Sequence, residues 1–217
     1  MNTDSVVASS EKGNKEVEVF IYDGVNSLGS VTAVDGQWTF NVPSALSIGN
    51  HLFHARSGTA DSNSWGVTVV LPFRDFNDFQ NQNWGGWVPG PAGRRWVFNP
   101  LSGFPGHYVL HNVTPDNASA GVALQKTISG LHVGTRYRFE VGAGQIITPG
   151  PQYALAKLSL SSTAGAVTGV FTPPYGSITF GGEFIANSTT VTVSVMSHEA
   201  SGIGNDYYLS HLLVESV

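Results

Sequence analysis

Cysteine is missing from this chain of 217 residues. Its absence excludes disulfides, thiol catalysis and zinc held by cysteine. Charge is also scarce. Asp, Glu, Lys and Arg make up 12% of the residues, against about 25% in an average globular protein. The balance is acidic, a net charge of -5, and the only basic clusters are Arg94-Arg95 and Arg136/Arg138. Nucleic acid is thereby excluded as a partner, because phosphate binding needs a basic patch. No apolar run approaches the roughly 20 residues of a membrane span, so no membrane insertion is expected. The opening Met1-Asn-Thr-Asp-Ser lacks the regions of a signal peptide, and the chain is expected to be a piece of something longer. His-Glu-x-x-His, Gly-x-Ser-x-Gly and a phosphate-binding glycine loop are all missing.

What is present is apolar content of 41% and 26 glycines, enough for a core cut up by turns. Residues 1–15 are polar and expected to fray. Val17, Val19 and Ile21 then alternate with Glu16, Glu18 and Phe20. Asp23-Gly24 and Asp35-Gly36 are hairpin signals. Further strands are expected over 28–34, 38–42, 51–56 and 65–71, a spacing that points to a β-sandwich. Leu71-Pro72 closes that unit. Beyond it aromatic residues concentrate and Pro/Gly-rich loops lengthen. Strands are expected near 107–113, 120–128, 135–143, 153–161, 177–186, 189–197 and 206–216. The clearest is the run from Ala120 to Val141, where Tyr137, Phe139 and Val141 alternate with Arg136, Arg138 and Glu140. The fold class expected is all-β: a sandwich over 16–71 and a two-sheet jelly roll over 72–217.

Val17 to Gly24, Asp35-Gly-Gln-Trp-Thr-Phe40, Leu46 to His51 and the closing Val-Thr-Val-Val make 16–71 similar to bacterial immunoglobulin-like repeat domains. That resemblance implies a stiff spacer. Asp75 to Trp84, Gly106 to Leu110, Leu124 to Tyr137, Phe184 to Val193 and Asp206 to Val214 come in an order that resembles carbohydrate-binding modules with a galactose-binding-like jelly roll. The resemblance implies a non-catalytic module that binds a polysaccharide or surface glycan, or another surface protein, in a secreted or surface-attached bacterial protein. Many such modules hold a structural calcium between first and last strands. The acidic positions fall here on Asn77 and Ser210, so no calcium is expected at that site, and no other cofactor or metal is implied. Asp78 and Asp206 are the nearby carboxylates, each with a turn-capping alternative.

Sugars pack their C–H faces on aromatic rings while planar polar groups meet their hydroxyls. Trp87, Arg94, Arg95 and Trp96 lie in or beside a Gly/Pro loop and are candidate ligand contacts; the competing reading places the tryptophans over the core edge. Tyr175, in Thr-Pro-Pro-Tyr-Gly, could stack on a ligand or pack locally. Arg136 and Arg138 read as a solvated stripe or as ion-pair partners. No catalytic residue is assigned. A glycosidase would need a facing carboxylate pair, for which Asp75, Asp78, Glu140, Glu183 and Glu199 are available, but no motif pairs any two. The alternatives to a glycan-binding segment are therefore a structural or protein–protein adhesion module and, third, a carbohydrate-active enzyme.

Overall fold

The computed structural model describes residues 5–6, 16–92, 94–113, 119–146, 150–201 and 205–217. The chain divides into two compact units, Met1–Leu71 and Pro72–Val217. Among the described residues the regular structure is β, apart from one short 3-10 turn over Gln80–Gln82.

Among its described residues the first unit has seven strands: β1 (Ser5–Val6), β2 (Val17–Asp23), β3 (Asn26–Ala33), β4 (Phe40–Asn41), β5 (Gly49–Ser57), β6 (Ala60–Asp61) and β7 (Trp65–Val69). An antiparallel sheet runs β3-β2-β5-β6, with β7 also on β5, and β1 pairs β4. Val19, Ile21, Ala33, Trp38 and Ala55 form its core. Asp35 and Gly36 take the left-handed backbone, φ 51° and 74°, and Val34 and Gln37 exchange two 3.0 Å bonds across them. This is the turn chemistry that Asp-Gly supports. The expected strand 38–42 shrinks to Phe40–Asn41, because Trp38 turns into the core instead of pairing. Ser5–Val6 pairs with Phe40–Asn41 although residues 1–15 are expected to fray; residues 7–15 lie outside the described residues.

The second unit contains β8 (Arg74–Asn77), β9 (Val88–Pro89), β10 (Arg95–Pro100), β11 (Tyr108–Val113), β12 (Gly121–Ser129), β13 (Arg136–Gln145), β14 (Leu158–Ser162), β15 (Gly165–Ala166), β16 (Ile178–Ile185), β17 (Thr190–Ser197) and β18 (Tyr207–Ser216). One sheet runs β10-β11-β18-β13-β16, and β8 pairs the second half of β18. The other runs β15-β14-β17-β12-β9. Phe139, Val141, Leu209 and Leu212 from the first sheet meet Leu124, Ile128, Leu160 and Val193 from the second in one core. Phe139 and Val141 are two apart and Leu124 and Ile128 four apart, as strands buried on one face require. Leu209 and Leu212, three apart, share that face because a register shift at Ser210 lies between them. Lys126 shares the inward register of Leu124 and Ile128, and its ammonium spans to Asp75 of the opposite sheet at 2.6 Å. The expected strand 153–161 begins only at Leu158, where pairing with Ser197 starts.

The structure departs from the sequence reading most at β10. Arg95 and Trp96, expected in or beside a Gly/Pro loop, open a six-residue edge strand paired along its length with β11.

Candidate functional site

Alternation along β10 separates the expected ligand contacts. Trp96 faces inward, with its ring edge-on to Tyr207 at 5.7 Å, and its indole N–H donates to the Ala123 carbonyl at 3.2 Å. Arg95, one position earlier, is exposed on the outer face. Trp87 is 2% exposed. The left-handed pair Gly85-Gly86 reverses the chain ahead of it, and its ring stacks on Phe139 at 5.8 Å. Its face is therefore taken by the core, which corrects the expectation that it meets a ligand. Arg94 is corrected likewise. It is 6% exposed and ties the chain internally, donating to Ser197 Oγ at 2.6 Å and to the Glu199 carbonyl at 2.5 Å. Burial pulls its pKa below the usual arginine range. Aromatic and arginine residues in a Pro/Gly-rich segment marked the loop; the burial of a Trp inside it has no signature in local sequence.

Tyr175 does reach the surface, at 63% exposure. Gln145 N–H donates to the Pro174 carbonyl at 2.8 Å, which lays the loop along β13. A side chain at Gly144 would stand 1.7 Å from the Gly176 carbonyl oxygen and 2.6 Å from Tyr208 Oη. Glycine is thus what lets the loop and Tyr208 lie flat on the sheet.

From Gly144 the register runs straight across the outer face. Gly144 pairs Tyr208, Tyr208 pairs His111, and His111 pairs Val97. Three strand spacings of about 4.8 Å make this row roughly 14 Å long. Asn99 stands beside it on β10, and its side-chain amide donates to His111 Nδ1 at 2.5 Å. Burial lowers the His111 pKa, so the ring is neutral near pH 7 and free to accept that bond. His111 and Tyr208 rings are 6.0 Å apart. The result is an aromatic and amide row, edged by Tyr175 at one end and Arg95 at the other. Tyr208, His111 and Asn99 were missed in the sequence; only the Tyr207-Tyr208 pair hinted that one ring must face out.

The rest of this face carries ion pairs and a second ring pair, Phe76 with His211 at 6.0 Å. Arg136 meets Glu183 at 2.9 Å, and Arg138 meets Glu140 at 3.3 Å and also Glu215. The outer face of the other sheet is hydroxyl-lined and has no ring on β12, β14 or β17: Gln125, Thr127 and Ser129 lie beside Ser194, Thr192 and Thr190, with Thr127 and Thr192 hydroxyls 3.0 Å apart.

The carboxylates available for acid–base chemistry are engaged elsewhere. Asp75 holds Lys126, Glu140 and Glu183 hold arginines, and Glu199 meets Lys157 at 3.4 Å and the Ser201 N–H at 3.1 Å. Asp78 accepts from Gln80 N–H at 3.2 Å, as a turn cap does. Ser159 Oγ lies 2.8 Å from His198 Nε2, but that imidazole is exposed. Asn77 and Ser210 do not fit a calcium ion. Asn77 spends its side chain on Phe79 N–H at 2.9 Å and the Asn83 carbonyl at 3.1 Å, and Ser210 faces His211 at 3.3 Å. Neither supplies a carboxylate. Among the described residues no three His, Asp or Glu side chains gather to hold a metal.

The protein is an all-β chain whose larger unit is a two-sheet sandwich of jelly-roll type. Solved structures share that fold. The CBM22-1 xylan-binding domain from Paenibacillus barcinonensis Xyn10C is similar at 12% identity and a TM-score of 0.52, over 65% of this chain and 92% of that one. The CBM22-1-CBM22-2 tandem domain of the same protein gives 12% identity and 0.52 over 65% and 44%. A sugar-binding protein, the EclA C-terminal domain, gives 26% identity and 0.46 over 64% and 96%. No family model matches the sequence, and no curated protein matches it.

Proposed function

We propose that the chain is a non-catalytic glycan-binding segment of a larger secreted or surface protein of bacterial type. The first unit is an immunoglobulin-like spacer, and the outer face of the larger sheet carries the ligand. The observation behind this reading is the registered row Tyr208–His111–Val97 with Asn99 beside it and Tyr175 at its edge. A pyranose packs its C–H face on Tyr208 or Tyr175, while Asn99 Oδ1 and His111 Nε2 meet its hydroxyls. The fold shared with a xylan-binding domain supports the same reading as an analogy of scaffold. A site this shallow binds weakly, and repetition in the parent protein supplies avidity.

A glycan array probed with the whole chain tests it. Hits that weaken about tenfold in Tyr208→Ala, the effect of losing about 1.4 kcal/mol, support the site. A blank array, or hits indifferent to Tyr208, contradicts it. The burial of Trp87 and the inward turn of Trp96 favour a second reading, a structural or protein–protein adhesion module, for which the array is blank.

A further inference from the structure

One cation on the candidate face differs from every other described cation. Lys12 and Lys15 lie outside the described residues. Arg56, Arg74, Lys126, Arg136, Arg138 and Lys157 each pair with a carboxylate. Arg94 is buried and bonded to Ser197 and to backbone carbonyls. Among the described residues Arg95 alone makes neither kind of contact. It is also exposed, at the start of the edge strand β10.

Its place is specific. Arg95 pairs Val113, and the next outward residue on β10, Val97, pairs His111. Arg95 and His111 are therefore diagonal neighbours on one face, about 7–8 Å apart between Cα atoms, well within the reach of a guanidinium. The outward residues next to it on the ladder, Val97 and Val113, are apolar and exposed, so no neighbour there competes for its donors. The charge pairs of the face lie at its other end, on Arg136, Arg138, Glu183 and Glu215. Asp206, two residues before Tyr208, bears on His111, and Arg95 is the unspent described cation that a ligand lying along the Tyr208–His111 row meets.

Resting on the glycan-binding reading above, we propose that Arg95 recognises a carboxylate on the bound glycan, so that the preferred ligand is a largely neutral chain carrying a uronate or sialate. The guanidinium offers a planar pair of donors that fits a carboxylate side-on. A densely charged polyanion is disfavoured by the net charge of -5 and by Asp206, whose carboxylate bears on His111, whereas a single carboxylate set among neutral sugars needs only the one cation at Arg95. The contact is solvent-exposed, so its worth is modest and falls with salt.

The experiment is a glycan array on which uronate-bearing and sialate-bearing glycans are printed beside their carboxyl-reduced counterparts. It is read with the whole chain and with Arg95→Gln, at low and high salt. The expected result is that the unaltered chain binds carboxylated glycans about three- to five-fold tighter than the reduced ones. Arg95→Gln abolishes that preference and keeps the affinity for the reduced forms, and high salt shrinks it. The uronate and sialate sets show which source supplies the carboxylate. Equal binding to both forms by the unaltered chain, or a preference that survives Arg95→Gln, overturns the carboxylate assignment and leaves the glycan site standing. Binding to neither form overturns both.

Discussion

Tyr207 and Tyr208 are adjacent, and the sheet sends them to opposite sides. Tyr207 is sealed in the core, where burial pushes its phenol well above its ordinary pKa, while Tyr208 lies in the outer row beside His111. Trp87 and Trp96 both lie on the core side: Trp96 faces inward toward Tyr207, and Trp87 fills space against Phe139. Trp87→Ala is therefore expected to cost about 3–5 kcal/mol of stability, read from the denaturation midpoint. Tyr208→Ala should leave that midpoint nearly unchanged. Were Trp87→Ala as stable as the parent chain, its ring would not be in the core. Alternation made it legible that one tyrosine of the pair is exposed. Which sequence-distant residues surround it depends on the register of β11 and β18, and no local pattern in either strand discloses that.

At the scale of elements, β13 shows what glycine contributes. The opening Arg136 to Val141 alternation was plain in the sequence, and so was the exposure of its arginines. Gly142 and Gly144 read only as small residues. In the structure they are where His211 and the Tyr175 loop lie against the strand. Gly144→Ala would drive a methyl into the Gly176 carbonyl and Tyr208, an overpacking worth about 1–3 kcal/mol. The expected outcome is a lower denaturation midpoint together with weaker glycan binding; binding at full strength would show that the loop and Tyr208 do not form the site. Edge strand β10 was hidden because Pro/Gly-rich segments flank it on both sides, leaving only Trp96 and Phe98 as inward positions. The clamp between sheets has a test of its own. Lys126→Met leaves Asp75 without its partner, and a loss of about 1–3 kcal/mol is expected for a pair that is only partly buried. An unchanged midpoint would show that the clamp contributes nothing.

At the scale of the whole molecule, the all-β class was readable from turns and alternation. Two of the motif pieces that marked the first unit, Val17 to Gly24 and Leu46 to His51, meet in one contact. His51 Nδ1 lies 2.5 Å from Asp23 Oδ2, and His51 Nε2 donates to the Ser47 carbonyl at 2.8 Å. The bond to Asp23 raises the His51 pKa above its ordinary 6.5 and lowers that of Asp23 below its ordinary 3.8. The His51 contribution to stability is thus complete below 6.5 and lost as pH rises through its folded-state value. The Asp23 contribution is complete above 3.8 and lost as pH falls through its depressed value. Hydrogen exchange over residues 17–57 should therefore slow relative to intrinsic rates in mildly acidic solution and quicken toward alkaline pH. His51→Gln should flatten that dependence, and a profile unchanged in His51→Gln would assign it to another group.

The central claim is that ligand binds across β18, β11 and β10 on the outer face of the larger sheet. Backbone amide chemical-shift mapping by NMR during titration with the strongest hit of the glycan array tests it most directly. The account predicts shifts concentrated at Asn99, His111, Tyr208 and Tyr175, with Thr127 and Thr192 on the opposite face silent. Shifts centred on the Thr127–Thr192 face, or saturable binding that leaves Tyr208 and His111 unmoved, would contradict it.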